Sequence, residues 1–162
     1  MAKAKIIDPR EASGRRLELK QPMFAADAVA RADETMKAMS ASFEKWLDAD
    51  AQTLQTARAA AEAAGWDETS LETLMRAAHD LKGMGGAYGY PLVTDIAASL
   101  CRLIETDAGK AAARANPSLV CAHVDALRAA IRDRIASDAH PVGKALVQAL
   151  ETRVAALGVA PR

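Results

Sequence analysis

The chain has 162 residues, enough for one well-packed domain and too few for two of typical size. Its 21 basic and 21 acidic side chains cancel, so it lacks the cationic excess of a nucleic-acid binder that must neutralise several phosphates. Aromatics are only 4%, alanine dominates and β-branched runs are missing, which excludes a strand-rich protein and leaves the all-α class.

Two isolated cysteines, Cys101 and Cys121, show no C-x-x-C spacing and read as thiols in a reducing compartment rather than as a metal or redox site. There is no apolar core of a signal peptide and no uninterrupted apolar run long enough to span a bilayer, so the expectation is a soluble, cytoplasmic protein without a membrane partner. A glycine-rich phosphate loop is also missing, and with it any domain that could hold ATP.

Residues 1–22 carry six basic and three acidic side chains without periodicity and read as an extended arm, draped through Ile6, Ile7 and Leu17. A single helical domain is expected over 23–162. Phe24, Val29, Ala32, Met36 and Met39 recur at three-and-four spacing and predict a first helix with one buried side. Ser40 and Ser42 make a break plausible there, with one long helix to Ala64 as the alternative. Phe43, Trp46, Leu47, Leu54, Ala57 and Ala61 form the face of a core helix stopped by Gly65.

A motif helix follows, capped by Asp67, Thr69 or Ser70 and ending at Gly89. Tyr90-Pro91 restarts the chain, and Leu92, Val93, Ile96, Ala97, Leu100, Cys101 and Ile104 give the next buried face, to about Thr106. The short turn predicts antiparallel neighbours. After a loop at 107–116, Asn116-Pro117 opens a helix with Val120, Val124, Leu127, Ile131 and Ile135 inward. His123 within it reads as a surface or flank histidine, and His140 as a linker residue. A last helix over 141–157 is expected to turn Val142, Leu146, Leu150, Val154 and Leu157 inward.

Of the three histidines only His79 has a setting suited to chemistry. On a helical wheel Leu71, Leu74, Ala78, Leu81 and Gly85 fall within about 80° of one another and form the core face, while His79 lies about 110° from its centre, at the edge of the bundle. Lys82 and Gly83 flank His79 at about −60° and +40°, and Gly86 falls within about 20° of it one turn further on. Three glycines in four positions cost roughly 1 kcal/mol each inside a helix, relative to alanine. Gly85 faces the core, where it allows close packing, whereas Gly83 and Gly86 would admit a partner's backbone beside the imidazole. An imidazole nitrogen is nucleophilic at neutral pH and takes a phosphoryl group without a metal of its own, with Lys82 as counter-charge.

The run H-D-L-K-G at 79–83, with Gly89 ten residues after the histidine, resembles the signature of histidine-containing phosphotransfer (HPt) domains. The resemblance covers roughly 42–137, its specific part 79–89. It implies an antiparallel four-helix bundle with an additional N-terminal helix, to which this chain's own pattern adds the C-terminal helix over 141–157. It also implies a function: a histidine that accepts a phosphoryl group from a receiver-domain aspartate and passes it to another receiver in a two-component phosphorelay. Carried over, His79 is the phospho-accepting residue, Lys82 the phosphate-stabilising one, Leu81 a core leucine and Gly89 the end of the motif helix. Gly83, Gly86 and Met75 belong to the partner-docking face. Cys101 and Glu105 stand where some members carry glutamine and arginine, and Arg102 is a candidate phosphate contact in their place.

The implied partners are receiver domains of hybrid histidine kinases and response regulators, met by a monomer. No cofactor is expected in the chain, any Mg2+ being held by the receiver. Two other readings stand beside this one: a histidine-kinase dimerisation module without its ATP domain, which would be an obligate dimer, and a helical adaptor that is never phosphorylated.

Overall fold

The computed structural model describes residues 26–158, which contain six helices and no strand. They are α1 (Ala26–Ala63), α2 (Glu68–Met84), α3 (Pro91–Glu105), α4 (Asp107–Ala115), α5 (Pro117–Arg132) and α6 (Pro141–Ala156). The extended arm expected at 1–22 lies outside the described residues. The chain divides into two compact units, 1–38 and 39–162.

The described part of the first unit is the leading part of α1, which runs through Ser40 and Ser42 without a break. Nothing between Ala26 and Ala63 is proline or glycine, and the segment is rich in alanine, so two serines do not outweigh its helix propensity. Val29 is 49% exposed, against the expectation of a buried stripe. A three-and-four repeat decides which side chains share a helix face; it does not guarantee that another element covers it.

In the second unit one core is built from every helix. Leu47 and Leu54 of α1, Leu71, Leu74 and Leu81 of α2, Leu92, Ile96 and Leu100 of α3, and Val124 and Leu127 of α5 are fully buried, with Leu150 and Val154 of α6 packed on them. Helix α3 is the centre, in contact with α2, α4, α5 and α6. The protein is thus an all-α bundle whose four core helices are the second part of α1, α2, α3 and α5, with further helices at its ends. Val142 and Trp46 depart from their expected core positions: Val142, in the first turn of α6, is 50% exposed, and Trp46 is 52% exposed and leans on Phe43 and Tyr88 at centroid distances of 5.6 and 6.2 Å.

Chain reversals follow local chemistry. Gly65 takes φ +65° at the end of α1, with Trp66 N–H donating to the Ala61 carbonyl and Gly65 N–H to that of Glu62, a left-handed cap that glycine adopts at little cost. The segment expected as a loop at 107–116 is instead α4. Thr106 caps it, its hydroxyl accepting from Gly109 N–H at 3.0 Å, and a Cβ at Gly109 would stand 2.5 Å from the Leu103 carbonyl oxygen. Only glycine lets α4 begin so close to the end of α3, and in a sequence that glycine looks like a loop signal. Helix α5 ends at Arg132, so Ile135 packs from the following turn and not from the helix.

Candidate functional site

Asp67 caps α2, its carboxylate accepting from Ser70 N–H at 2.9 Å, and these hydrogen bonds from Ser70 hold its pKa below the usual carboxylate range. From that start the helix runs for 17 residues with Leu71, Leu74, Ala77, Ala78 and Leu81 buried. The helical phase puts the next polar residues outside: His79, Asp80, Lys82 and Gly83 are all exposed.

Regular α-helix stops at Met84, five residues before the expected end at Gly89. The backbone continues as a tight helical turn in which Tyr88 N–H donates to the Met84 carbonyl, Gly89 N–H to Gly86 and Tyr90 N–H to Gly85. Gly89, at φ +83°, closes it as the left-handed cap. Gly89 is therefore the point where the chain turns, although the regular hydrogen-bond ladder ends earlier.

The three clustered glycines differ. A Cβ at Gly85 would lie 2.8 Å from Thr94 Oγ1 and 2.9 Å from Thr94 N, so the bare backbone is what lets α2 meet the start of α3. A Cβ at Gly83 would meet nothing within 4 Å, and one at Gly86 would stand an ordinary 3.7 Å from Thr94 Oγ1. Both are exposed, and Gly86 N–H donates to Thr94 Oγ1 at 2.9 Å. Nothing in the described chain requires glycine at 83, and packing alone does not require it at 86. In the sequence nothing sets Thr94 apart from other helical threonines.

The two flanks of His79 differ in charge. On one side is Asp80, whose charge adds to burial in raising the pKa of Asp50 on α1. On the other, the Lys82 ammonium acts on Cys101 of α3. Burial pushes the Cys101 thiol up to about 11, with Lys82 partly opposing. Met75, one turn before His79, is half-buried and lines a cavity with residues of α3 and α4.

Arg102 goes elsewhere. Its guanidinium pairs with Glu151 of α6, and its Nε is buried with no hydrogen-bond partner among the described residues. The candidate phosphate contact is thus engaged by the last helix rather than by the motif helix. Its charge instead reaches His123, which corrects another expectation: this histidine is fully buried, not on a flank. Its Nδ1–H donates to the Leu119 carbonyl at 2.8 Å, and its Nε2 accepts from the Ser99 hydroxyl at 3.0 Å. Burial lowers its pKa to about 4, with Arg102 adding to the effect. Both ring nitrogens are occupied, so an apolar site can accommodate the neutral ring.

Among the described residues no group of three or more His, Cys, Asp or Glu is arranged to hold a metal, and no helix is long and apolar enough to cross a membrane. A sequence model of one family, described as Hpt domain, matches residues 38–134. Comparison with curated proteins and with solved structures gave no match. Helix α6, which pairs with Arg102, lies outside the matched span.

Proposed function

The chain belongs to the Hpt domain family, whose members act in phosphotransfer within two-component phosphorelays, and from that premise we propose that His79 is the residue that carries the phosphoryl group. The lone pair of its unprotonated ring nitrogen attacks the phosphorus of a receiver's aspartyl phosphate. The P–O bond to the aspartyl carboxylate breaks and the carboxylate leaves with the electron pair; in the second transfer a receiver's aspartate attacks the phosphorus, and the P–N bond breaks with its electron pair returning to the imidazole. Lys82, on the same helix and exposed, supplies the counter-charge. Gly83 and Gly86 leave room for the receiver, and the Mg2+ that transfer uses belongs to the receiver's acidic pocket.

One observation supports this reading above the others: an exposed histidine stands beside an exposed lysine and two glycines, and the fold needs no glycine at 83 and tolerates a Cβ at 86. The four core helices come from one chain, which supports a monomer over a dimerisation module.

The test is incubation of the full chain with receiver domains phosphorylated by acetyl phosphate. An acid-labile, base-stable label is expected, lost in His79→Gln with the helical signal intact. Lys82→Ala should retain the label but shorten its lifetime. Absence of label with every receiver of the source cell would leave a helical adaptor.

A further inference from the structure

The regular ladder of α2 ends at Met84, directly after the turn that carries Lys82 and Gly83. Had the helix gone on, the Gly86 N–H would donate to the Lys82 carbonyl, four residues back. It donates instead to Thr94 Oγ1, at 2.9 Å. From the first turn of α3, Thr94 thus draws the end of the motif segment out of the α-helical pattern. The place of Gly86 relative to the imidazole is then set by this bond between helices and no longer by the helical wheel.

The segment needs a tether. Gly83, Gly85, Gly86 and Gly89 make four of the seven residues 83–89 glycine, the type that loses most backbone entropy when it is ordered. The bonds from Tyr88 to Met84, Gly89 to Gly86 and Tyr90 to Gly85 close the turn on itself, and the bond from Gly86 ties it to α3. The base of that tie is firm. Leu92 and Val93 are fully buried, and Leu92 N–H donates to the Ala136 carbonyl at 3.0 Å. Gly143 of α6 packs on the same turn so closely that a Cβ there would stand 3.0 Å from Leu92 Cδ2 and 2.8 Å from the Ser137 carbonyl oxygen. Ala136, Ser137 and Gly143 all lie beyond residues 38–134, the span that the family model matches, so this support comes from outside the family's common part.

We propose that Thr94 is a positioning residue for phosphoryl transfer at His79: its hydroxyl oxygen holds the glycine turn 85–89 in one conformation, so that a receiver meets an ordered surface and does not have to order it on docking. The inference rests on His79 exchanging phosphoryl groups with receivers. Thr94 acts through Gly86 and takes no part in making or breaking the bonds to phosphorus, so its loss weakens docking and leaves the chemical step alone.

The experiment is single-turnover loading of the full chain by a receiver domain phosphorylated with acetyl phosphate, in excess at a series of concentrations, using the receiver that loads the wild-type chain fastest. Thr94→Val removes the acceptor at nearly constant volume, and Thr94→Ala removes it without setting a methyl group against Gly85; circular dichroism checks that both fold. Each should raise the half-saturating receiver concentration about fivefold, the worth of one hydrogen bond, with the maximal rate held within about twofold. Thr94→Ser keeps the oxygen and should restore the wild-type value. Hydrogen exchange of the Gly86 amide should quicken about fivefold in Thr94→Val and Thr94→Ala and not in Thr94→Ser. A merely structural role would lower the amount of chain that loads, not the half-saturating concentration. Folded Thr94→Val and Thr94→Ala that load His79 with wild-type half-saturation, or a Thr94→Ser that behaves like them when they are impaired, overturn the positioning role and leave the relay reading standing. A wild-type chain that no receiver loads overturns both.

Discussion

His79 on α2 and His123 on α5 carry the same imidazole into opposite surroundings. At His123 the ring is sealed in the core, both nitrogens are hydrogen-bonded, and burial makes the charged form costly. At His79 the ring is exposed, an ammonium lies three residues on, and the glycine beyond it has open space where a side chain would be. The first arrangement uses up the chemistry of imidazole to satisfy a core; the second leaves a nitrogen for an incoming group. Residue type therefore says little about role until neighbours and burial are known.

The contrast can be broken in several ways. His123→Ala removes a buried ring and leaves the Ser99 hydroxyl and Leu119 carbonyl without it, so denaturant unfolding should show a loss of about 3–4 kcal/mol. Phosphotransfer per folded molecule should be unchanged.

Acid is a gentler probe of the same site. The folded pKa of His123, about 4, lies below the unfolded value of about 6.5. Its stability contribution is therefore intact above about pH 6.5 and is lost as pH falls towards 4, the unfolded state binding the proton first. About 3 kcal/mol is at stake, and thermal unfolding across that window should show a loss that His123→Gln reduces.

The glycines sharpen the comparison at the other region. Gly85→Ala drives a Cβ against Thr94 and should cost about 2 kcal/mol. Gly83→Ala meets nothing and should stabilise the helix by up to about 1 kcal/mol in the same unfolding assay. If Gly83→Ala destabilised as much as Gly85→Ala, the glycine at 83 would be structural and its role in partner approach would fall.

Much of this was legible from periodicity. The core face of α2 and the edge position of His79 follow from the helical repeat, because Leu71, Leu74, Ala78 and Leu81 leave little choice of phase. The turns at Gly65 and Gly89 were legible because each takes a positive φ that few residues adopt, whereas the cap of α2 was narrowed only to Asp67, Thr69 or Ser70, since any of their side chains can accept from the first turn. What the sequence concealed depended on tertiary neighbours. Gly109 signalled a loop, yet it permits a helix to start against the Leu103 carbonyl. His123 has no lysine or glycine nearby in sequence, and its Ser99 partner lies 24 positions away. Arg102 could be placed on α3 but not aimed, since Glu151 reaches it from α6. Trp46 shares a helix face with core residues, but that face is wider than the core it meets.

The central claim is tested most directly by loading His79→Gln and His123→Gln side by side from one phosphorylated receiver, with label counted per folded molecule. The account predicts no label on His79→Gln and a wild-type level on His123→Gln. Label retained by His79→Gln would contradict it.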